Sequence, residues 1–89
     1  MPLAIKVIGF AGQVACPIAG QYLKSFDFEA ENGLGFGVFT TRIEEALAFP
    51  SIVEASEFWK RQSKVKPRRT DGRPNRPLTA TTVTFERIP

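Results

Sequence analysis

The chain opens on "LAIKVI" (3–8), an aliphatic run broken only by Lys6 and bounded by Gly9 and Gly12. Short, rich in β-branched residues and flanked by glycine, it predicts a strand. Residues 9–20 hold three glycines and Pro17 and predict a loop. "QYLKSFDFE" (21–29) then alternates. Tyr22, Phe26 and Phe28 fall on one face of an extended chain, while Leu23, Ser25, Asp27 and Glu29 point the other way, mostly toward water. "ENG" (31–33) supplies a hairpin signal, because Asn-Gly tolerates the positive φ of a tight turn. "LGFGVFT" (34–40) is the return strand, with Leu34, Phe36 and Val38 available to the same apolar face.

The period then changes from two toward that of a helix. Thr41-Arg42-Ile43-Glu44 and Ser51-Ile52-Val53-Glu54 both match the capping box, in which a hydroxyl and a carboxylate satisfy free amides at a helix start. The first predicts a short helix through Ala48, stopped by Phe49-Pro50. The second predicts a longer helix over 52–63, with Ile52, Ala55 and Trp59 in one apolar stripe and Phe58 on its border. That stripe is expected to pack on the sheet face carrying Tyr22, Phe26, Phe36 and Val38. "LTATTVTFERI" (78–88) alternates again and predicts a final, threonine-rich strand. Little charge precedes Glu86, so at a sheet edge it invites a weak dimer or a cover from the 9–20 loop.

The pattern therefore predicts an α+β fold: a three- to four-stranded antiparallel sheet with one longer and one short helix on one face, in the order β-β-β-α-α-β. At 89 residues, the chain reads as a single domain over 1–89.

Charge changes the picture. Between 60 and 77, Lys60, Arg61, Lys64, Lys66, Arg68, Arg69, Arg73 and Arg76 face only Asp71, a local balance of +7. The remaining chain has four cations against eight acids, or −4. A basic segment on an acidic body can steer and hold an anion. Pro67, Pro74 and Pro77 forbid a continued helix here, and Asp71-Gly72 is a turn signal. The segment is thus a basic, proline-rich loop over 64–77. The eight cations over 60–76 are candidate anion-binding residues, and a hydrated connector is the competing reading.

Composition excludes much chemistry. Histidine is absent, so no histidine base and no Ser-His-Asp or Cys-His pair exists. One cysteine, Cys16, cannot complete a zinc site or an internal disulfide, and it reads as a partly buried structural residue. No catalytic residue, metal site or cofactor is expected. Asp27 and Glu29 form a weak carboxylate pair on a solvated face. "GLGFG" (33–37) is a poor phosphate loop because no helix start follows. Its glycines instead bare one strand face to the close approach of another element. No apolar run reaches the length of a membrane span. The first residues lack the basic start of a secretory leader, so a cytoplasmic location is expected.

At "GQYLKSFDFEA", "ALAF…EASEFWKRQS" and "DGRPNRPLTATTV" the chain resembles a group of small uncharacterised bacterial proteins of α-proteobacterial and prophage-like settings. The resemblance runs from Gly20 to Val83 and implies a bacterial or phage-related origin, without an activity or site residues. The expectation is a non-enzymatic binding or accessory module, monomeric or weakly dimeric and not engaged with a membrane. It would act on another protein, with an acidic partner among the candidates. The alternative is nucleic-acid or other polyanion binding through residues 60–76.

Overall fold

The aliphatic opening run becomes β1 (Leu3–Phe10), and its apolar character explains its central place in the sheet. Ala4, Ile5 and Val7 are buried. β1 lies between β2 (Tyr22–Asp27) and β4 (Thr81–Arg87), and β3 (Phe36–Thr40) pairs with the far side of β2. All three pairings are antiparallel, giving one sheet in the order β3-β2-β1-β4. The structure, a computed structural model, describes residues 2–10 and 16–89. The α+β architecture agrees with the sequence pattern.

β1 and β2 diverge. They meet around Lys6 and Tyr22, where the Val7 amide donates to the Gln21 carbonyl at 2.9 Å. Toward the start of β1, Phe49 takes the place of β2 and exchanges two hydrogen bonds of 2.8 Å with Leu3. The Leu47 amide donates to Leu23 at 3.0 Å. Residues 47–49 therefore wedge between the two strands and satisfy backbone groups that the divergence would leave unpaired.

The predicted faces of β2 and β3 need correction. The β2–β3 register slips between Leu23 and Ser25, an extra residue at Lys24 that turns the following side chains over. Leu23, expected to face water, is fully buried in the core with Ile5, Phe28, Ala55 and Leu78. Phe26 and Phe39 pack against the same cluster. Tyr22 lies on the outer face with Lys6 and Glu86, donating its hydroxyl to the Glu86 carboxylate. That hydrogen bond holds the phenol above its ordinary pKa. Phe36 and Val38 share this outer face and are 59% and 41% exposed.

The helices are shorter than the capping boxes suggest. At the first box, only a 3₁₀ turn forms over Ile43–Glu45, without a side-chain cap. The Thr40 hydroxyl instead accepts the Arg42 amide at 3.1 Å and donates to Glu45 at 3.0 Å, so the polar contacts start one residue early. The second box does start a helix, α2 (Ile52–Trp59), with the Ser51 hydroxyl accepting the Glu54 amide at 3.4 Å. A single distorted turn, α1 (Ala30–Gly33), closes the β2–β3 hairpin, with Glu31 and Asn32 both left-handed.

α2 packs on the core through Ala55, Phe58 and Trp59, whereas Ile52 and its neighbour Val53 are exposed. It stops at Trp59, short of the expected 63, because Ser63 is drawn away by bonds to distant partners. Residues 9, 10 and 16–20 of the predicted first loop fall within β1 and a turn, and 11–15 lie outside the described residues. Cys16 is a half-buried free thiol in that turn, its carbonyl accepting the Ala19 amide at 3.2 Å.

The slipped register has a direct test in stability. Leu23→Ala is expected to cost about 2–5 kcal/mol in denaturant unfolding, as for a fully buried leucine. Val38→Ala, on the outer face, should cost well under that. Equal costs would contradict the faces assigned to β2 and β3.

Candidate functional site: the basic hairpin

The segment between α2 and β4 is folded, although nothing in its local periodicity demands it. Ser63 leaves α2 buried and donates its amide to the Asn75 carbonyl at 2.9 Å. The Asn75 amide returns a 2.9 Å bond to the Pro67 carbonyl. Arg68 bridges Pro74, and the Arg69 amide donates to the Arg73 carbonyl at 2.7 Å. Residues 67–75 thus make a miniature hairpin. Its tip is set by Asp71, whose carboxylate accepts the Arg73 amide at 3.0 Å, and by Gly72 at φ 85°. Gln62 donates its side-chain amide to the Pro67 carbonyl and closes the base.

Glu29 ties this hairpin to the sheet. One carboxylate oxygen accepts the Ser63 hydroxyl at 2.7 Å, the Lys64 amide at 2.8 Å and the Val65 amide at 2.9 Å. The Ser63 hydroxyl first, then the Val65 and Lys64 amides, hold the Glu29 carboxyl below its ordinary pKa. Asn75 adds a second tie, donating to the Gly33 carbonyl at 2.6 Å and to the Lys66 carbonyl at 2.9 Å. The glycines of "GLGFG" make room for this approach. A Cβ on Gly33 would lie 2.6 Å from Lys66 Cβ, and one on Gly35 would lie 2.8 Å from Pro77 Cβ. Both glycines also have φ near +88°, at 88° and 87°, a region that favours glycine.

Asp27 and Glu29 are therefore not a solvated pair. Asp27 accepts the Glu29 amide at 3.0 Å, and the Glu29 carboxylate turns to the hairpin. Among the described residues, no group of three or more histidine, cysteine, aspartate or glutamate side chains gathers as metal ligands.

The candidate cations line up along the hairpin and its approach. Lys60, Arg61, Lys64, Arg68, Arg69, Arg73 and Arg76 are exposed, and Lys66 is half-buried. Among the described residues, only Arg73 of the eight forms a salt bridge, at 3.8 Å to Asp71 within the tip. With Arg73 78% exposed, that pair is a weak one. Arg68 donates to the Gly72 carbonyl at 2.9 Å, stiffening the tip. Arg61 stands apart, its guanidinium 5.2 Å from the Phe28 ring centre and 4.9 Å from that of Phe58. It caps the aromatic core as a cation–π partner. The body's acids thus leave the hairpin charge largely uncompensated.

Apolar groups lie among these charges. Leu34 is 70% exposed and Val65 is 58% exposed. Leu34 joins Lys66, Arg69, Thr70 and Asn75 around one shallow cleft of about 200 Å³. It also joins Arg69, Arg76, Pro77 and Thr79 around another of about 380 Å³. Neither Leu34 nor Val65 stood out in the sequence as part of a site. Their signal was positional only: Leu34 adjoins the hairpin glycines and Val65 interrupts the lysines. Trp59, whose indole could in principle stack on a base, is half-buried against the core. Compared with protein-family models, curated proteins and solved structures, the chain has no match.

The anchor makes hairpin order depend on pH. A depressed folded-state pKa contributes stability above the unfolded value, and this is lost as pH falls through the folded value. The Lys64 and Val65 amide proton resonances should therefore move together in an acid titration, with a midpoint below the ordinary glutamate value. Glu29→Gln should abolish that titration. Resonances that move at the ordinary value, or persist in moving in the variant, would contradict the anchor.

Proposed function

We propose that this chain is a non-enzymatic binding module that engages an acidic partner protein through the basic hairpin. The observation that carries the reading is the anchored hairpin itself, with cations that the body's carboxylates do not neutralise. A surface held in place before binding loses less conformational freedom on association than a mobile loop would. The exposed Leu34 and Val65 among the arginines favour a ligand that combines carboxylates with apolar side chains, as a protein surface does.

Nucleic acid is the second reading, favoured by the density of arginine. Against it, Trp59 packs on the core instead of offering a face for stacking, and the exposed side of α2 carries Glu54 and Glu57. The resemblance to small bacterial and prophage-like proteins fits an accessory role in a cytoplasmic assembly. No helix among the described residues is long and apolar enough to cross a membrane.

The test is a titration with a glutamate-rich peptide containing leucines, with poly-glutamate and with duplex DNA, each at two salt concentrations. The leucine-containing peptide should bind most tightly. Replacing Arg68, Arg69, Arg73 and Arg76 together with Gln should abolish binding, while stability changes within about 0.5 kcal/mol per site. Tightest binding to DNA, with a salt slope near −0.9 per neutralised phosphate, would transfer the function to nucleic acid. Loss of folding in the fourfold variant would assign the charges to the fold.

A further inference from the structure

β4 is an edge strand: β1 lies on one side, and among the described residues no strand pairs with the other. Beside it runs a groove of about 260 Å³ between β4 and α2. Ser56 and Trp59 of α2 form one wall, and Thr79, Thr82, Val83 and Phe85 form the other. No β1 residue lines this groove, so it belongs to the free side of the sheet. Its walls are largely apolar and its rim is hydroxyl-bearing.

Two further observations give the groove a direction and a ligand chemistry. Thr79 also lines the cleft formed by Leu34, Arg69, Arg76 and Pro77, so the groove runs into the basic hairpin at the start of β4. One end is therefore cationic. Trp59 lines the groove, and its Nε1 is buried without a hydrogen-bond acceptor, an arrangement folded proteins mostly avoid.

From this geometry we infer that β4 and its groove receive an extended peptide segment of the partner protein, added as a fifth, antiparallel strand. The inference rests on the protein-binding reading above and specifies the partner. Strand addition supplies main-chain hydrogen bonds along the edge, and alternate side chains enter the groove. The segment carries a bulky aliphatic residue over Trp59, small or β-branched residues on either side, and carboxylates at its C-terminal end. Antiparallel addition places that end at the start of β4, beside Arg69 and Arg76. A duplex nucleic acid fits neither the apolar groove nor the edge.

The probe is a fluorescein-labelled peptide, acetyl-Thr-Val-Thr-Leu-Thr-Val-Glu-Glu, compared with the same residues with both glutamates moved to the N-terminus. Trp59 is the single tryptophan, so its emission and its one indole N–H resonance report on the groove without ambiguity. Binding should shift both and should move the amide resonances of Thr82–Glu86. Ser56→Gln, which fills the groove from the surface of α2 without adding charge, should weaken the peptide by about tenfold or more while leaving poly-glutamate binding unchanged. Thr82→Gln serves as a second groove-filling variant should the first alter the helix. Arg76→Gln should weaken the first peptide more than the second.

Poly-glutamate binding without any effect of the peptide on Trp59 would overturn this inference and leave the hairpin reading standing. Peptide binding that both groove variants leave intact would overturn it too. A concentration-dependent doubling of mass that shifts the β4 resonances would assign the edge to a second copy of the chain and likewise overturn it. Failure of all three ligands would remove both readings together.

Discussion

One carboxylate ties the basic hairpin to the sheet. Glu29 sits just beyond β2, where the β2–β3 hairpin begins to turn, and it gathers a hydroxyl and two backbone amides from the chain leaving α2. An ionised acceptor makes stronger hydrogen bonds than a neutral one, so this contact outweighs the solvation of an otherwise irregular stretch. It converts a run of like charges into a folded hairpin. Without that anchor, repulsion among the cations would favour an extended segment.

The rest of the architecture arranges itself around that tie. The close approach it demands is possible only because Gly33 and Gly35 carry no side chain where Lys66 and Pro77 arrive. Ser63 is fully enclosed, and it can be, since its hydroxyl and amide both have partners. Below the tie, a chain of aromatic contacts runs from Phe26 through Phe28 and Phe58 to Phe49, with ring centres 4.7–5.2 Å apart. Arg61 lies over its two middle rings, Phe28 and Phe58. The anchored hairpin is thus mounted beside the aromatic side of the core. That mounting is what a binding surface needs if its cations are to be presented in a fixed pattern.

Local signals were legible in the sequence and long-range ones were not. The β-branched run of β1, the alternation of β4, the turn after β2 and the Ser51 cap all depend on neighbours within a few residues, and the structure contains them. The glycines of residues 33–37 were readable as a site of close approach, though not the identity of what approaches. Leu23 was assigned to the wrong face because one extra residue at Lys24 inverts the alternation, and such a bulge leaves no mark in a single sequence. The Thr41 box failed as a helix start because Leu47 and Phe49 are claimed by the neighbouring strands. Glu29 looked like a solvated acid, since its partners lie 34 to 36 residues away. The basic cluster was visible as composition. Its folded form, and the apolar groups set into it, come from tertiary contacts that no local window contains.

Backbone ¹⁵N relaxation across residues 60–80 tests the central claim most directly. A hairpin fixed by Glu29 and Asn75 predicts order parameters near about 0.85 from Ser63 to Lys66 and from Pro74 to Leu78, proline nitrogens excepted, with any decrease confined to the tip around Asp71. The same measurement on Glu29→Ala should show the decrease spreading down both arms. Values below about 0.6 throughout Ser63–Arg76 in the unaltered chain would contradict the account, because the cations would then hang on a mobile loop.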